Sequence, residues 1–165
     1  MERLWAPWRM EYINSAREGE GGCIFCELPA EDDDEKNYIL TRGEKAFVML
    51  NKFPYNSGHL MIAPFRHVGE VEELEDEEAL DLHHLLQRSL KALKETTKPD
   101  GFNIGMNLGL VAGAGIPDHV HWHIVPRWSG DTNFMPVVAE TKVLPHHLRD
   151  SYVAIQDAFL FGRAE

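Results

Sequence analysis

The chain has 165 residues, of which 44% are apolar, and this is enough for one globular domain with a hydrophobic core. Its formal net charge of −11 at pH 7 argues against a nucleic-acid backbone or an anionic membrane as partner. No apolar run approaches the roughly 20 residues of a membrane span, and the N-terminus lacks an apolar signal core, so we expect a cytoplasmic protein.

The first motif along the chain is a Cys-x-x-Cys pair, Cys23 and Cys26, which follows two glycines. This spacing presents two thiolates at the separation that tetrahedral zinc requires, and cytosolic thiols favour a metal over a disulfide. A redox pair and two simple buried thiols are the alternatives that the sequence leaves open.

Short β-prone segments bounded by turn residues predict five strands. The first two are separated by Arg42-Gly43-Glu44, which favours a hairpin. The predicted strands are residues 38–41, 45–50, 59–63, 102–108 and 119–125.

Two helices complete the pattern. Residues 72–95 carry leucines at helical spacing with charged residues between them, which predicts a long amphipathic helix. A second helix is predicted to begin near Pro145. Short loops between strands favour antiparallel pairing, so we predict an α+β fold with the long helix on the apolar face of the sheet.

The most informative strand contains three histidines, His119, His121 and His123, in alternation with apolar residues. Alternation places the three imidazoles on one face of the sheet. A neutral imidazole is a good nucleophile near pH 7 and can hold a nucleotidyl group covalently. The preceding glycine-rich loop, residues 107–115, offers backbone N–H groups to a phosphate. A metal site, or a strand without chemistry, is the alternative.

Residues 107–127, with the pattern His-φ-His-φ-His-φ-φ after a glycine-rich loop, resemble the signature of the histidine triad (HIT) superfamily. Residues 51–67, which contain Gly58-His59 and Pro64-x-x-His67, resemble the second hallmark of that family. The likeness covers residues 23–127, about two thirds of the chain. Residues 5–9 and 130–134 are most similar to the branch that includes bacterial diadenosine tetraphosphate phosphorylases.

The resemblance implies a HIT-like antiparallel sheet with one long helix packed on it and a C-terminal helix. The sheet would extend across a homodimer. It implies cleavage of a nucleotide phosphoanhydride, as in a dinucleoside polyphosphate, through a covalent nucleotidyl-histidine. His121 would be the nucleophile, and His123 would contact the phosphate or the leaving group. Nucleotide binding is assigned to Asn51 at the ribose, to the phosphate contacts Asn107, Gly113, Ala114 and Gly115, and to His121 and His123.

The chain departs from the family in the loop before the first histidine. Many hydrolase members carry Gln followed by Ser or Thr where this chain has Gly115 and Ile116. A side chain that positions water or a leaving group is therefore missing, which leaves either phosphate or water as acceptor. A HIT hydrolase of nucleoside phosphoramidates or adenylylated small molecules, a non-catalytic nucleotide- or zinc-binding module, and a metalloenzyme with zinc on all three histidines are the alternatives.

The resemblance also implies a metal site, because several members combine a cysteine pair with two histidines at matching positions. Here the set is Cys23, Cys26, His67 and His119. A closed site of this kind would hold a structural zinc ion, and no organic cofactor is expected.

Other residues keep two interpretations. Phe25, Phe47 and Leu50 either flank a base or form ordinary core, and Arg66 and Arg127 either meet phosphate or are surface charges. We expect a single HIT-like domain over residues 1–165. It would divide into an N-terminal arm (1–20) that packs on the body or across the dimer, a core (21–128) and a C-terminal extension (129–165).

Overall fold

The computed structural model describes residues 22–131 and 147–161. The predicted α+β fold is confirmed, because these residues form one five-stranded antiparallel sheet with helices packed on it. The strands are β1 (Ile39–Arg42), β2 (Ala46–Leu50), β3 (Leu60–Pro64), β4 (Gly101–Gly105) and β5 (Trp122–Arg127). The helices are α1 (Ile24–Ala30), α2 (Asp34–Asn37), α3 (Asp76–Thr96) and α4 (Leu148–Phe161), with short 3₁₀ turns at Val71–Glu73 and Leu110–Ala112.

The strand order is β1-β2-β3-β5-β4, so the last strand lies between β3 and β4. Met61 of β3 and Gly105 of β4 both lie opposite His123 of β5. This insertion places the histidine segment beside the middle of the sheet rather than at its edge.

Helices α3 and α4 pack on one face of the sheet and form the larger core. The leucine pattern predicted this face correctly, since Leu82, Leu85 and Leu93 are all buried. Burial of each such side chain contributes about 1.5–3 kcal/mol to the stability of the fold. Helix α4 adds Tyr152, Ile155 and Phe159, and the strands add Leu40, Ala46, Val48, Leu50, Leu60, Ile62 and Ile124.

The opposite face of the sheet carries a second apolar cluster that is covered by α1. Its buried members are Phe25, Ile39, Phe47, Met49, Met61 and Ala63. The alternation of side chains along β2 and β3 therefore separates the face under α3 and α4 from the face under α1, where a pocket opens.

The histidine strand is shorter than predicted, because β5 begins at Trp122 and not at residue 119. If the β3–β5 register continued, Val120 would lie opposite Pro64, which has no backbone N–H to donate. Val120 instead donates its N–H to the Val68 carbonyl at 2.7 Å. The stretch 119–121 thus leaves the ladder, and β4 likewise ends at Gly105 rather than at residue 108.

The start of the last helix near residue 145 and the N-terminal arm lie outside the described residues, and so does most of the C-terminal extension before α4. Among the helices that the structure describes, none has both the length and the apolar character needed to cross a bilayer.

Candidate active site

A pocket of about 180 Å³ opens on the sheet face that α1 covers. Apolar walls with a few convergent polar groups are typical of small-molecule sites. The lining residues are Ile24, Leu28, Met49, Asn51, Lys52, Phe53, Tyr55, Met61, Gly113, Gly115, His121 and His123. Five of the residues that the sequence predicted for nucleotide binding therefore meet in one pocket.

The imidazole of His121 is held in one tautomer. Its Nδ1 lies 2.8 Å from the carbonyl oxygen of His119, and a carbonyl accepts only, so Nδ1 carries the proton. Nε2 is therefore the ring nitrogen with the free lone pair. The ring is buried, and this burial lowers the pKa of His121 below its ordinary value. The neutral, nucleophilic form is favoured in this environment.

His123 belongs to a hydrogen-bonded chain of two imidazoles. The Tyr55 N–H donates to Nδ1 of His59 at 3.1 Å, so the proton of His59 lies on Nε2. That Nε2 lies 3.0 Å from Nδ1 of His123 and donates to it. His123 in turn carries its proton on Nε2 and presents a donor, whereas His121 presents a lone pair.

Asn51 directly follows β2 and lines the pocket. Its Oδ1 accepts the Phe53 N–H at 2.9 Å, and its Nδ2 lies 3.4 Å from Nδ1 of His59. These contacts fix the orientation of the amide, which keeps a further lone pair and a further N–H for a ligand.

The glycine-rich loop supplies backbone to the pocket. Gly113 has φ +91°, a conformation that favours glycine, and its carbonyl accepts from Nδ2 of Asn107 at 3.4 Å. Ala114 is buried, so Asn107 and Ala114 shape the loop while Gly113 and Gly115 line the pocket. Ile116 packs against the apolar cluster on this face.

The predicted metal ligands also come together. One ligand atom from each of Cys23, Cys26, His67 and His119 lies within 4.8 Å of the others. The Cys23 Sγ to His119 Nδ1 distance is 3.2 Å, and Cys26 Sγ to His67 Nδ1 is 3.3 Å. Tetrahedral zinc places its ligand atoms about 3.3–3.8 Å apart, so the set fits this ion.

The donor chemistry of this cluster also fits a cation. Nε2 of His119 donates to the Pro64 carbonyl at 2.9 Å, which leaves the lone pair of Nδ1 towards the sulfurs. Burial lowers the pKa of His119 to about 4, so the ring is neutral at pH 7. Burial and the neighbouring Cys23 raise the pKa of Cys26 to about 11, and a bound cation would reverse this shift.

The two arginines do not lie at the pocket. Arg66 forms an ion pair with Glu78 at 2.7 Å, which holds the pKa of that carboxyl below its ordinary value. Arg127 pairs with Asp131 at 2.6 Å and also donates to Oδ1 of Asn103. Of the two interpretations of these arginines, the structure favours a structural role over phosphate contact.

The three candidates for the base wall are core residues. Phe25, Phe47 and Leu50 are each about 1% exposed or less, and the pocket wall is formed by other residues. Ile24 and Leu28, one turn apart on α1, form that wall, and sequence reasoning missed them. The available signal was their i, i+4 spacing, with Ile24 between the two cysteines and Leu28 two residues after Cys26.

His59 belongs to the site as well, although its Gly58-His59 dipeptide predicted no site role for it. His59 is fully buried and forms the hydrogen bond that orients His123. The histidine is separated from His123 by 64 residues, so only the pairing of β3 with β5 reveals the contact.

A family model described as HIT domain matches residues 33–130, more than half of the chain. An AP-4-A phosphorylase of Mycobacterium tuberculosis is 40% identical over 158 residues, which cover 92% of this chain and 80% of that relative.

Solved structures share the fold. A zinc-bound histidine triad family protein from Mycobacterium smegmatis matches with a TM-score of 0.68 at 24% identity and covers 84% of this chain and 94% of that chain. A member of the HIT family from Bacillus subtilis matches with a TM-score of 0.61 at 25% identity. The match covers 88% of this chain and 99% of that chain.

The hydrogen bond to the His119 carbonyl predicts that the His121 ring is a single tautomer with its proton on Nδ1. Long-range ¹H–¹⁵N NMR spectra of the imidazoles test this, with the His121 signal assigned by its loss in His121→Asn. A protonated Nε2, or an even mixture of the two tautomers, would contradict the assignment.

Proposed function

We propose that this chain, which belongs to the HIT domain family, processes a dinucleoside polyphosphate such as diadenosine tetraphosphate through a covalent nucleotidyl–His121 intermediate. The observation that carries the proposal is the hydrogen bond from Nδ1 of His121 to the His119 carbonyl, because it leaves Nε2 as an unprotonated nucleophile in the pocket. The family membership and the 40% identical AP-4-A phosphorylase support this substrate class.

Substrate binding follows from the walls of the pocket. The base would lie among the apolar side chains of Ile24, Leu28 and Met49, and the ribose hydroxyls would meet the oriented amide of Asn51. The backbone of Gly113 and Gly115 would hold phosphate oxygens, which places the α-phosphorus within reach of His121.

The chemistry takes place in two displacements. Nε2 of His121 attacks the α-phosphorus, a P–N bond forms, and the bond to the bridging oxygen breaks. His123 donates the hydrogen bond of its Nε2–H to the departing oxygen, and His59 keeps that ring in the donating orientation. For diadenosine tetraphosphate the leaving group is ATP, and an acceptor oxygen then displaces His121 from the adenylyl group.

We propose inorganic phosphate as that acceptor. Gly115 has no side chain, and Ile116 packs into the apolar cluster, so neither position offers the polar group that would hold a water molecule for attack. Inorganic phosphate has four oxygens. One can attack while the others accept hydrogen bonds, so its position depends less on polar side chains of the protein. Its attack on the adenylyl group gives ADP, whereas attack by water gives AMP.

We propose that the ion at Cys23, Cys26, His67 and His119 is zinc in a structural role. The two sulfurs and two imidazole nitrogens would supply all four ligands of a tetrahedral ion and would leave no position for substrate. Such an ion would tie the first turn of α1 to His119, two residues from the proposed nucleophile. The observed closed set thus argues against an ion that takes part in the displacement.

We also propose that two copies join through their sheets. Strand β4 is one of the two edge strands of the sheet, and Ile104 on it is 41% exposed. An unpaired edge is a template for a second strand. Multi-angle light scattering should give twice the mass of one chain, and Ile104→Lys, which puts a charge at the junction, should shift the mass towards the monomer. A monomeric wild-type protein would contradict this assembly.

The acceptor is tested by the products. Incubation with diadenosine tetraphosphate should give ATP and ADP when inorganic phosphate is present, and little product without it. Chromatography of the nucleotides measures this, and AMP formed at full rate in phosphate-free buffer would show hydrolysis instead.

The nucleophile is tested by His121→Asn, which should lower turnover at least about a thousandfold because the attacking nitrogen is lost. Binding of the substrate should change little, as measured by calorimetry. The control is His84→Asn, an exposed histidine on α3. Turnover near the wild-type rate in His121→Asn would exclude the covalent intermediate.

The metal is tested by its stoichiometry and by the stability that it confers. Plasma mass spectrometry should find one zinc per chain, and Cys26→Ser should lose it together with several kcal/mol of unfolding free energy. Because the ion is structural, graded chelation should lower the unfolding temperature in parallel with activity. Loss of activity well before any loss of stability would point to a metal-centred mechanism.

A further inference from the structure

The two residues between Cys23 and Cys26 face different parts of the site. The turn is tight, because the N–H groups of Cys26 and Glu27 both donate to the Cys23 carbonyl at 2.9 Å. Ile24 lines the pocket, whereas Phe25 is 1% exposed and packs against the histidine segment.

The contact between Phe25 and His121 is a ring-on-ring contact. The centroids are 4.6 Å apart with an interplanar angle of 35°, within the range of favourable aromatic pairs. His123 approaches the same imidazole at 4.9 Å with an angle of 75°. The His121 ring is therefore confined by the tilted Phe25 ring, by the near-perpendicular His123 ring and by one hydrogen bond to the His119 carbonyl.

Each of these contacts limits a different motion. The hydrogen bond fixes which nitrogen points to the carbonyl, but a single bond still allows the ring to rock about it. A flat aromatic surface 4.6 Å away opposes that rocking and opposes rotation of the ring about its bond to Cβ. Nε2 must stay in line with the bond that breaks, so a small rocking amplitude matters for attack.

Phe25 is itself held on two sides. Its ring lies 5.3 Å from the His119 ring and 6.5 Å from Phe47. The cysteines that flank it contact His119 and His67, so the position of the turn is tied to the segment that carries the nucleophile.

We propose that Phe25 is a positioning residue for the transfer reaction, which holds the His121 imidazole in the orientation needed for in-line attack. The inference rests on the proposed function, since it needs His121 as the nucleophile. It gives Phe25 a role distinct from the base wall, which belongs to its neighbour Ile24.

The test uses two variants that remove the flat ring and keep the core filled, Phe25→Leu and Phe25→Met. Methionine is flexible and fills irregular space, so it protects against simple collapse of the cluster. The first displacement is measured in a single turnover without phosphate, as release of ATP from diadenosine tetraphosphate. The rate should fall about ten- to a hundredfold, while the substrate dissociation constant changes less than about threefold.

A second readout is independent of activity. NMR spectra of the His121 imidazole should show a minor tautomer with the proton on Nε2 in both variants, because the ring is less confined. Zinc content should stay the same as in the wild type, which shows that the cysteine turn is intact.

The matched control is Phe159→Leu, which makes the same substitution in a buried phenylalanine on the helix-covered face. Its loss of thermal stability should be similar, and its transfer rate should stay within about twofold of the wild type. An equal loss of rate in Phe159→Leu, or wild-type rates and spectra in both Phe25 variants, would overturn the role of Phe25. Wild-type turnover in His121→Asn would instead overturn the proposed function, so the two failures are distinguishable.

Discussion

The end of β3 at Pro64 sets the path of residues 119–121 and, through two backbone carbonyls, the tautomers of His119 and His121. Proline has no N–H to donate to the next pair, and the ladder between β3 and β5 ends at Trp122, so residues 119–121 follow a separate path. The Pro64 carbonyl then accepts Nε2–H of His119, and the His119 carbonyl accepts Nδ1–H of His121. Two free carbonyls thus fix two tautomers. In His119 the lone pair lies on Nδ1, which faces the cysteine sulfurs. In His121 the lone pair lies on Nε2, the ring nitrogen that does not contact the backbone.

The third histidine is set by a different part of the chain. The turn after β2 supplies the Tyr55 N–H and the imidazole of His59, and these orient His123 as a donor. This turn is itself tied to the end of β5, because Asn56 donates to the Pro126 carbonyl and to Asp131. The acceptor nitrogen of His121 and the donor nitrogen of His123 therefore belong to neighbouring rings, each oriented by its own hydrogen bond.

Part of this arrangement could be predicted from local pattern. Leucine spacing predicted α3, and the HIT resemblance pointed to four candidate metal ligands that the structure brings within 4.8 Å of one another. Alternation predicted one sheet face for all three histidines, but only His123 lies within β5. The missing parts depend on contacts between distant segments. His59 meets His123 only because β5 inserts beside β3, and the pairing of Arg66 with Glu78 depends on where α3 begins. Neither periodicity nor spacing encodes such contacts.

The arginines that pair with Glu78 and Asp131 leave the pocket with little formal positive charge. Lys52 is the one cation among the residues that line it, in a chain whose net charge is −11. Under the proposed function, a polyphosphate would approach against the net negative charge and would be held mainly by backbone dipoles and neutral imidazoles. Salt screens that repulsion, so capture of the substrate is expected to become faster as ionic strength rises, in contrast to the behaviour of basic phosphate-binding clefts.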